Sequence, residues 1–74
     1  MSSPLQYKVY VKIKGETKRT YLANFRSRVD SINYAFSCSS GRYRSLPDAS
    51  LLAYDLDGKI LVKYVQGVRT GGKL

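Results

Sequence analysis

The sequence predicts a small single α+β domain of order ββαββ, with an antiparallel sheet and one helix packed on one face of it. The chain has 74 residues, which is the size of one domain. Two segments are rich in alternating apolar and polar residues, the period of strands with one face buried. Between them, apolar residues recur at intervals of three and four, as they do on an amphipathic helix.

The first predicted hairpin runs from Leu5 and turns back at Gly15-Glu16. Glycine in the first central position of a two-residue turn indicates type II′. One face of this hairpin is then mostly apolar, and the other carries tyrosines among cations. The predicted register pairs Ile13 with Lys18, Lys12 with Arg19, Val11 with Thr20, Tyr10 with Tyr21, Val9 with Leu22 and Tyr7 with Asn24.

The helix is predicted to begin after Ser27 and to end near Cys38. Serine is a preferred N-cap residue, and Asp30 stands three residues later, where a capping box places its acid. The helix should stop there because Ser39-Ser40-Gly41 is poor helix material and glycine suits a C-terminal cap. Its apolar stripe is predicted to consist of Val29, Ile32, Ala35 and Phe36. The stretch from residue 41 to residue 48 reads as a loop.

A second hairpin is predicted around Leu56-Asp57-Gly58, with a type I turn followed by glycine in a bulge. Aspartate is a preferred turn residue, which accounts for Asp55 and Asp57 without a bound cation. The predicted register opposes Asp55 to Lys59, Tyr54 to Ile60, Leu52 to Val62 and Ser50 to Tyr64. The apolar members of the last three pairs would then share the buried face.

The predicted domain covers residues 5–66, after a disordered N-terminus at residues 1–4 and before a flexible, glycine-rich basic tail at residues 67–74. Within that tail, Arg69-Thr70-Gly71-Gly72 is similar to the end of a ubiquitin-like modifier. The resemblance implies a β-grasp fold, which needs a further strand after the second hairpin, and removal of Lys73 and Leu74. We see no such strand in the sequence and expect a flexible tail.

Composition argues for binding rather than catalysis. The chain has no histidine, which is the usual general base at neutral pH and the commonest metal ligand. Its one cysteine, Cys38, cannot form an internal disulfide or a thiolate zinc site, and we interpret it as a small packed side chain. We expect no enzyme activity, no cofactor, no metal and no small-molecule substrate. The cysteine usage favours a cytoplasmic protein, and no segment predicts a membrane span.

The strongest compositional signal is the net charge of +8, from 13 Lys and Arg against 5 Asp and Glu. A field of this sign attracts polyanions and acidic protein surfaces. Aromatic rings among cations on an open sheet face suit nucleic acid, because rings stack on bases while cations meet phosphates. A cross-strand aromatic pair that merely stabilises the sheet is the alternative interpretation. The candidate binding residues are Lys8, Tyr10, Lys12, Lys14, Arg19, Tyr21, Arg26, Arg28, Arg42, Tyr43 and Arg44.

Two functions follow from these features. The first is binding of nucleic acid with low sequence specificity through the Lys/Arg/Tyr face. The second is docking of the same basic surface on an acidic or nucleic-acid-binding site of a larger protein. In size and architecture the chain resembles phage- and mobile-element-encoded inhibitors of host machinery, anti-CRISPR proteins among them, and that resemblance implies the second function. An exposed edge strand would also permit a dimer.

Overall fold

One antiparallel sheet of five strands forms the scaffold, in the order β2-β1-β3-β4-β5, and a single helix packs on one of its faces. The computed structural model describes residues 6–72. Its elements are β1 (Tyr7–Ile13), β2 (Thr20–Phe25), α1 (Arg28–Ser40), β3 (Ala49–Tyr54), β4 (Ile60–Val65) and β5 (Val68–Gly72). The predicted α+β class, antiparallel sheet and helix on one face are confirmed. The predicted order ββαββ is wrong, because three strands follow the helix and the last of them, β5, was not predicted.

The additional strand, β5, lies where the sequence predicted a tail. It is joined to β4 by a two-residue turn, in which Gln66 has φ 52° and Gly67 has φ 79°. Positive φ at both central positions defines the type I′ turn that matches strand twist. Gly71 pairs with Lys63 inside the sheet, so this glycine does not lie in a free tail of the kind that a modifier would present. The expected disordered residues 1–4 and the last two residues of the tail lie outside the described residues.

The β1–β2 connection differs from the predicted two-residue turn. The amide of Glu16 donates to the carbonyl of Ile13 at 3.0 Å, and Gly15, with φ 95°, occupies the second central position of that turn instead of the first. Because β2 begins only at Thr20, residues 18 and 19 lie in the loop and the pairs predicted for them with β1 do not form. The loop is longer than predicted, and it places Arg19 above the sheet.

A bulge interrupts the first hairpin halfway along. Tyr10 lies opposite Tyr21, as predicted, but Val9 lies opposite Ala23 because Leu22 is an extra residue in β2. A bulge of this kind shifts the register by one and increases the local twist. Leu22 and Phe25 can therefore both contact the core, although strict alternation would place two residues three positions apart on opposite faces.

The second hairpin has the predicted bulged turn. The amide of Asp55 donates to the carbonyl of Lys59 at 2.7 Å, the amide of Gly58 donates to the carbonyl of Asp55 at 3.0 Å, and Gly58 has φ 82°. Tyr54 lies opposite Ile60, as predicted. The pairing of Asp55 in this turn agrees with its interpretation as a turn residue.

Beyond that turn the predicted register is wrong. Leu61 is an extra residue in β4, so Leu52 lies opposite Lys63 instead of Val62. Leu51 faces the helix, and Leu52 and Tyr54 therefore face the opposite side of the sheet. The error has a physical reason: β3 is apolar at almost every position, so alternation could not show which set is covered by the helix.

The helix begins and is capped as predicted, and it ends two residues later than predicted. The Oγ of Ser27 accepts from the amide of Asp30 at 3.3 Å. The predicted stripe is wrong at two of its residues, because Val29 and Phe36 are 63% and 46% exposed. The buried residues of α1 are Ser31, Ala35 and Ser39. Small side chains at intervals of four let the helix lie close to the sheet.

The core lies between α1 and the sheet, around the fully buried side chains of Val9, Leu51 and Val62. These come from three neighbouring strands, so the central strands β1, β3 and β4 carry most of the apolar packing. Within residues 6–72, no helix has the length and apolar character that crossing a membrane requires. The sheet face opposite α1 has no layer of regular structure over it within the described residues.

Candidate functional site

The candidate site lies on the sheet face that points away from α1, which we call the open face. Val9 and Val11 are buried on the helix side, so the residues between and beside them in β1 point to the other side. Those residues are Lys8, Tyr10 and Lys12. The alternation of β1 therefore places cations and an aromatic ring on the open face, as the sequence predicted.

Three tyrosine rings cluster on this face, with Tyr10 in contact with each of the other two. Tyr10 makes edge-to-face contacts with Tyr21 in β2, at 5.6 Å between ring centroids, and with Tyr54 in β3, at 5.4 Å. Such geometries are favourable because the positive edge of one ring meets the negative face of another. Tyr21 is 49% exposed, whereas Tyr54 is 9% exposed. Tyr21 therefore offers the most accessible ring for an incoming ligand.

The guanidinium of Arg19 lies over two of these rings. Its central carbon is 4.4 Å from the centroid of Tyr10 and 4.6 Å from that of Tyr54, both within cation–π range. Arg19 is exposed, so solvent reaches the guanidinium. The two rings orient this group, and its N–H donors form a fork that matches two oxygens of a phosphate or a carboxylate. The sequence placed Arg19 in a strand, and its stacking depends on the loop that actually carries it.

Two adjoining pockets extend along the open face from this cluster. The first has a volume of about 480 Å³ and is lined by residues that include Arg19, Tyr10 and Lys18. The second, of about 580 Å³, is lined by residues that include Leu52 and Ile60. Both are shallow and open to solvent, so a ligand would lie along the face and would not be enclosed.

Lys12 and Tyr54 belong to the walls of both pockets. The Nζ of Lys12 donates to the carbonyl of Glu16 at 2.9 Å. That bond fixes the ammonium beside the loop that follows β1. A bound ligand that occupied both pockets would pass this charge.

The second pocket includes residues that the sequence analysis did not assign to the site. Leu52 and Tyr54 were predicted to be core residues, and Lys63 was not considered a candidate. Both central-strand residues are buried although they lie on the open face, because neighbouring side chains cover them. Lys63 faces the same pocket since it lies opposite Leu52. In the sequence, Lys63 is a charged residue between Val62 and Tyr64. Its charge was the one signal that could have indicated which side of β4 faces away from the helix.

Lys14 also lines the second pocket, from the turn that follows β1. Its backbone amide donates to the carbonyl of Asp48 at 2.9 Å, which fixes the turn against the segment before β3. Asp48 lines the same pocket and places a carboxylate there. The rim of the open face is thus basic but includes acidic side chains, with Asp55 near the tyrosine cluster.

The remaining candidates lie elsewhere. Arg26 and Arg28 are at the start of α1, whereas Arg42 and Arg44 follow its end. A 13-residue helix is about 20 Å long at roughly 1.5 Å per residue, so the two pairs do not form one cluster. Tyr43 packs against the core, with the Arg42 guanidinium 5.8 Å from its ring. We therefore leave these five residues out of the candidate site on the open face.

Cys38 is partly buried and packs against the core from α1. Its neighbour one turn earlier is Tyr34, which contacts the Phe25 ring at 5.2 Å. The hydrogen bond with Cys38, together with burial, raises the pKa of Tyr34 above its ordinary value. We therefore interpret Tyr34 and Cys38 as packing residues.

The chain was compared with protein-family models, with curated proteins and with solved structures. No family model matches it, and neither a curated protein nor a solved structure shows significant similarity to it.

Proposed function

We propose that this protein binds nucleic acid with low sequence specificity through the open face of its sheet. The observation that carries the proposal is the position of Arg19 over the rings of Tyr10 and Tyr54. A guanidinium held in this way is oriented before a ligand arrives, so less conformational entropy is lost when it binds. Tyr21, exposed beside it, offers a ring for stacking.

The groups on this face contact parts of a nucleotide that do not depend on sequence. Lys8, Lys12 and Lys63 supply ammonium groups that neutralise phosphates, and a ring or guanidinium plane stacks on any base. Discrimination between bases needs several hydrogen-bonding groups held against base edges, whereas this face presents mainly tyrosine rings and flexible ammonium groups. The net charge of +8 adds long-range attraction and faster association.

Fluorescence anisotropy with labelled single-stranded DNA and RNA of about 12 nucleotides tests the proposal. We expect binding at about 50 mM salt that weakens steeply at about 200 mM. Arg19→Ala should weaken binding several-fold. Arg28→Gln removes the same charge from the first turn of α1, outside the open face, and should have a smaller effect.

The proposal is wrong if neither nucleic acid binds below about 100 μM at low salt, because a domain of this charge should bind more tightly than that. It is also wrong if Arg28→Gln weakens binding as much as Arg19→Ala does. That result would show that net charge, rather than this surface, is responsible.

Docking on an acidic or nucleic-acid-binding site of a larger protein is the second candidate function. The observation that favours it is the presence of exposed apolar side chains beside the cations, with Ile60 46% and Leu56 39% exposed. Apolar anchors within a charged rim are typical of protein interfaces. Retrieval of one stoichiometric partner that is lost with Ile60→Glu but kept with Val29→Glu, on α1, would support this function over the first.

Under either function the protein acts as a binding module without a cofactor. We place it in the cytoplasm, because a chain with one cysteine needs no oxidising compartment to fold. Expression with a fluorescent tag in the natural host would test this location.

A further inference from the structure

We propose that the ligand is a single strand, and that two consecutive nucleotides occupy the two adjoining pockets with their linking phosphate on Lys12. This inference rests on the proposed function. It adds that the ligand is single-stranded and states where two of its nucleotides bind. It follows from three features of the open face: the two pockets, the cation between them and the side chains that line each one.

The first pocket suits a base or sugar beside a stacked cation. The guanidinium of Arg19 lies over the rings of Tyr10 and Tyr54, and this exposed residue lines the pocket of about 480 Å³. Guanidinium planes and aromatic rings are the groups on which unstacked bases lie. A duplex keeps its bases stacked and paired inside, so it could not use this plane.

The second pocket suits a second base. Its wall combines the exposed apolar side chain of Ile60 with Lys14 and Lys63, and its volume of about 580 Å³ is similar to that of the first. A base buries a face favourably against the isoleucine, while the lysines neutralise the phosphates beside it. A duplex keeps its base faces inside and presents only sugars and phosphates, so it would leave Ile60 without a stacking partner.

Lys12 stands at the junction of the two pockets. It lines both of them, and its ammonium is held by the carbonyl of Glu16 at 2.9 Å. An ammonium has three donors, so two remain for a ligand when one is used by Glu16. The phosphate that links two nucleotides lies between their bases, which is where this cation is placed.

The experiment is an NMR titration of the ¹⁵N-labelled protein with thymidine monophosphate, with the dinucleotide dTpdT and with a duplex of about 12 base pairs. We expect dTpdT to bind about tenfold more tightly than the mononucleotide, because a second base adds contacts without a second loss of translational freedom. Its resonance shifts should extend from the Arg19 loop into β3 and β4, whereas those of the mononucleotide should remain near one pocket.

Lys12→Gln removes the cation that the linking phosphate contacts and should weaken the binding of dTpdT several-fold, whereas Lys12→Arg should retain it. Lys8→Gln removes a charge from the same face but outside the junction, so it should weaken both ligands by a similar factor. The dispersion of the amide spectrum reports whether each variant is folded.

The outcomes separate the two proposals. If dTpdT binds no more tightly than the mononucleotide, or if the duplex binds as tightly as a single strand of equal length, the inference is wrong and nucleic-acid binding stands. If no nucleic acid shifts any resonance of the open face, the proposed function itself is wrong and protein docking is favoured.

Discussion

The amide of Gly67 donates a hydrogen bond to the Oγ of Ser39 at 2.8 Å and so ties the last hairpin to the end of the helix. Ser39 is fully buried, and a Cβ placed on Gly67 would lie 3.1 Å from the Cβ of Ser40. The turn therefore approaches the helix as closely as a backbone without a side chain permits. This contact holds β5 against the rest of the fold, together with its pairing to β4.

Replacement of Gly67 by alanine should destabilise the protein more than the same change at Gly58. Both glycines have positive φ, 79° and 82°, where an alanine is strained by roughly 1–2 kcal/mol. Gly58 has open space around it, whereas Gly67 abuts Ser40. We expect the free energy of unfolding to fall by about 1 kcal/mol more for Gly67→Ala, measured by urea denaturation. Equal losses would show that the turn can move away from the helix.

Loss of the Ser39 hydroxyl should leave the Gly67 amide without its partner. Ser39→Ala is expected to lower the free energy of unfolding by about 1–3 kcal/mol, the cost of an unsatisfied buried donor. Ser37→Ala is the matched control, since Ser37 is exposed on the same helix and its replacement should change stability by no more than about 0.5 kcal/mol. If the two variants were equally stable, water or another group would be replacing the Ser39 acceptor.

The stacking of Arg19 should contribute to folding as well as to binding. Arg19→Ala removes two exposed cation–π contacts, each worth about 0.5 kcal/mol, so we expect the free energy of unfolding to fall by about 1 kcal/mol. Lys18→Ala removes a charge from the same loop and serves as the control. Denaturation at low and high salt separates stacking from simple charge effects. An Arg19→Ala loss no larger than that of Lys18→Ala would contradict the stacked geometry.

The salt dependence of the affinity should show how many cations contact phosphates. If Lys8, Lys12, Arg19 and Lys63 each neutralise one phosphate of a single strand, the slope of log affinity against log salt should be about −3. Affinity would then fall about 50-fold between about 50 and about 200 mM salt. Lys12→Gln should reduce the slope by about 0.7, measured by anisotropy. A slope unchanged by Lys12→Gln would exclude a phosphate contact at that residue.

The part of the candidate site that lies on β1 was predictable from the sequence. The period of two in β1 separated Val9 and Val11 from Tyr10 and Lys12, and the opposition of Tyr10 to Tyr21 was predicted and found. Alternation is informative where apolar and polar residues strictly alternate. In β3 both faces are apolar, so Leu52 was predicted to be covered by the helix and is instead on the open face.

Local sequence determined the features that short-range chemistry controls. Ser27 caps the helix because a serine hydroxyl accepts from an amide three residues on, and Gly58 permits the bulged turn because it tolerates positive φ. The net charge likewise needs no structure to be known. These are properties of a few adjacent residues or of composition alone.

Tertiary structure alone decided the rest. The extra residues Leu22 and Leu61 shift the registers of the β1–β2 and β3–β4 pairs. The strand β5 forms from a glycine-rich segment because β4 offers an unpaired edge and Ser39 accepts a hydrogen bond from the amide of Gly67. Arg19 reaches two rings on different strands only after the loop and sheet are assembled. Each of these features depends on contacts between residues that are distant in the chain. A pattern of adjacent residues therefore cannot predict them.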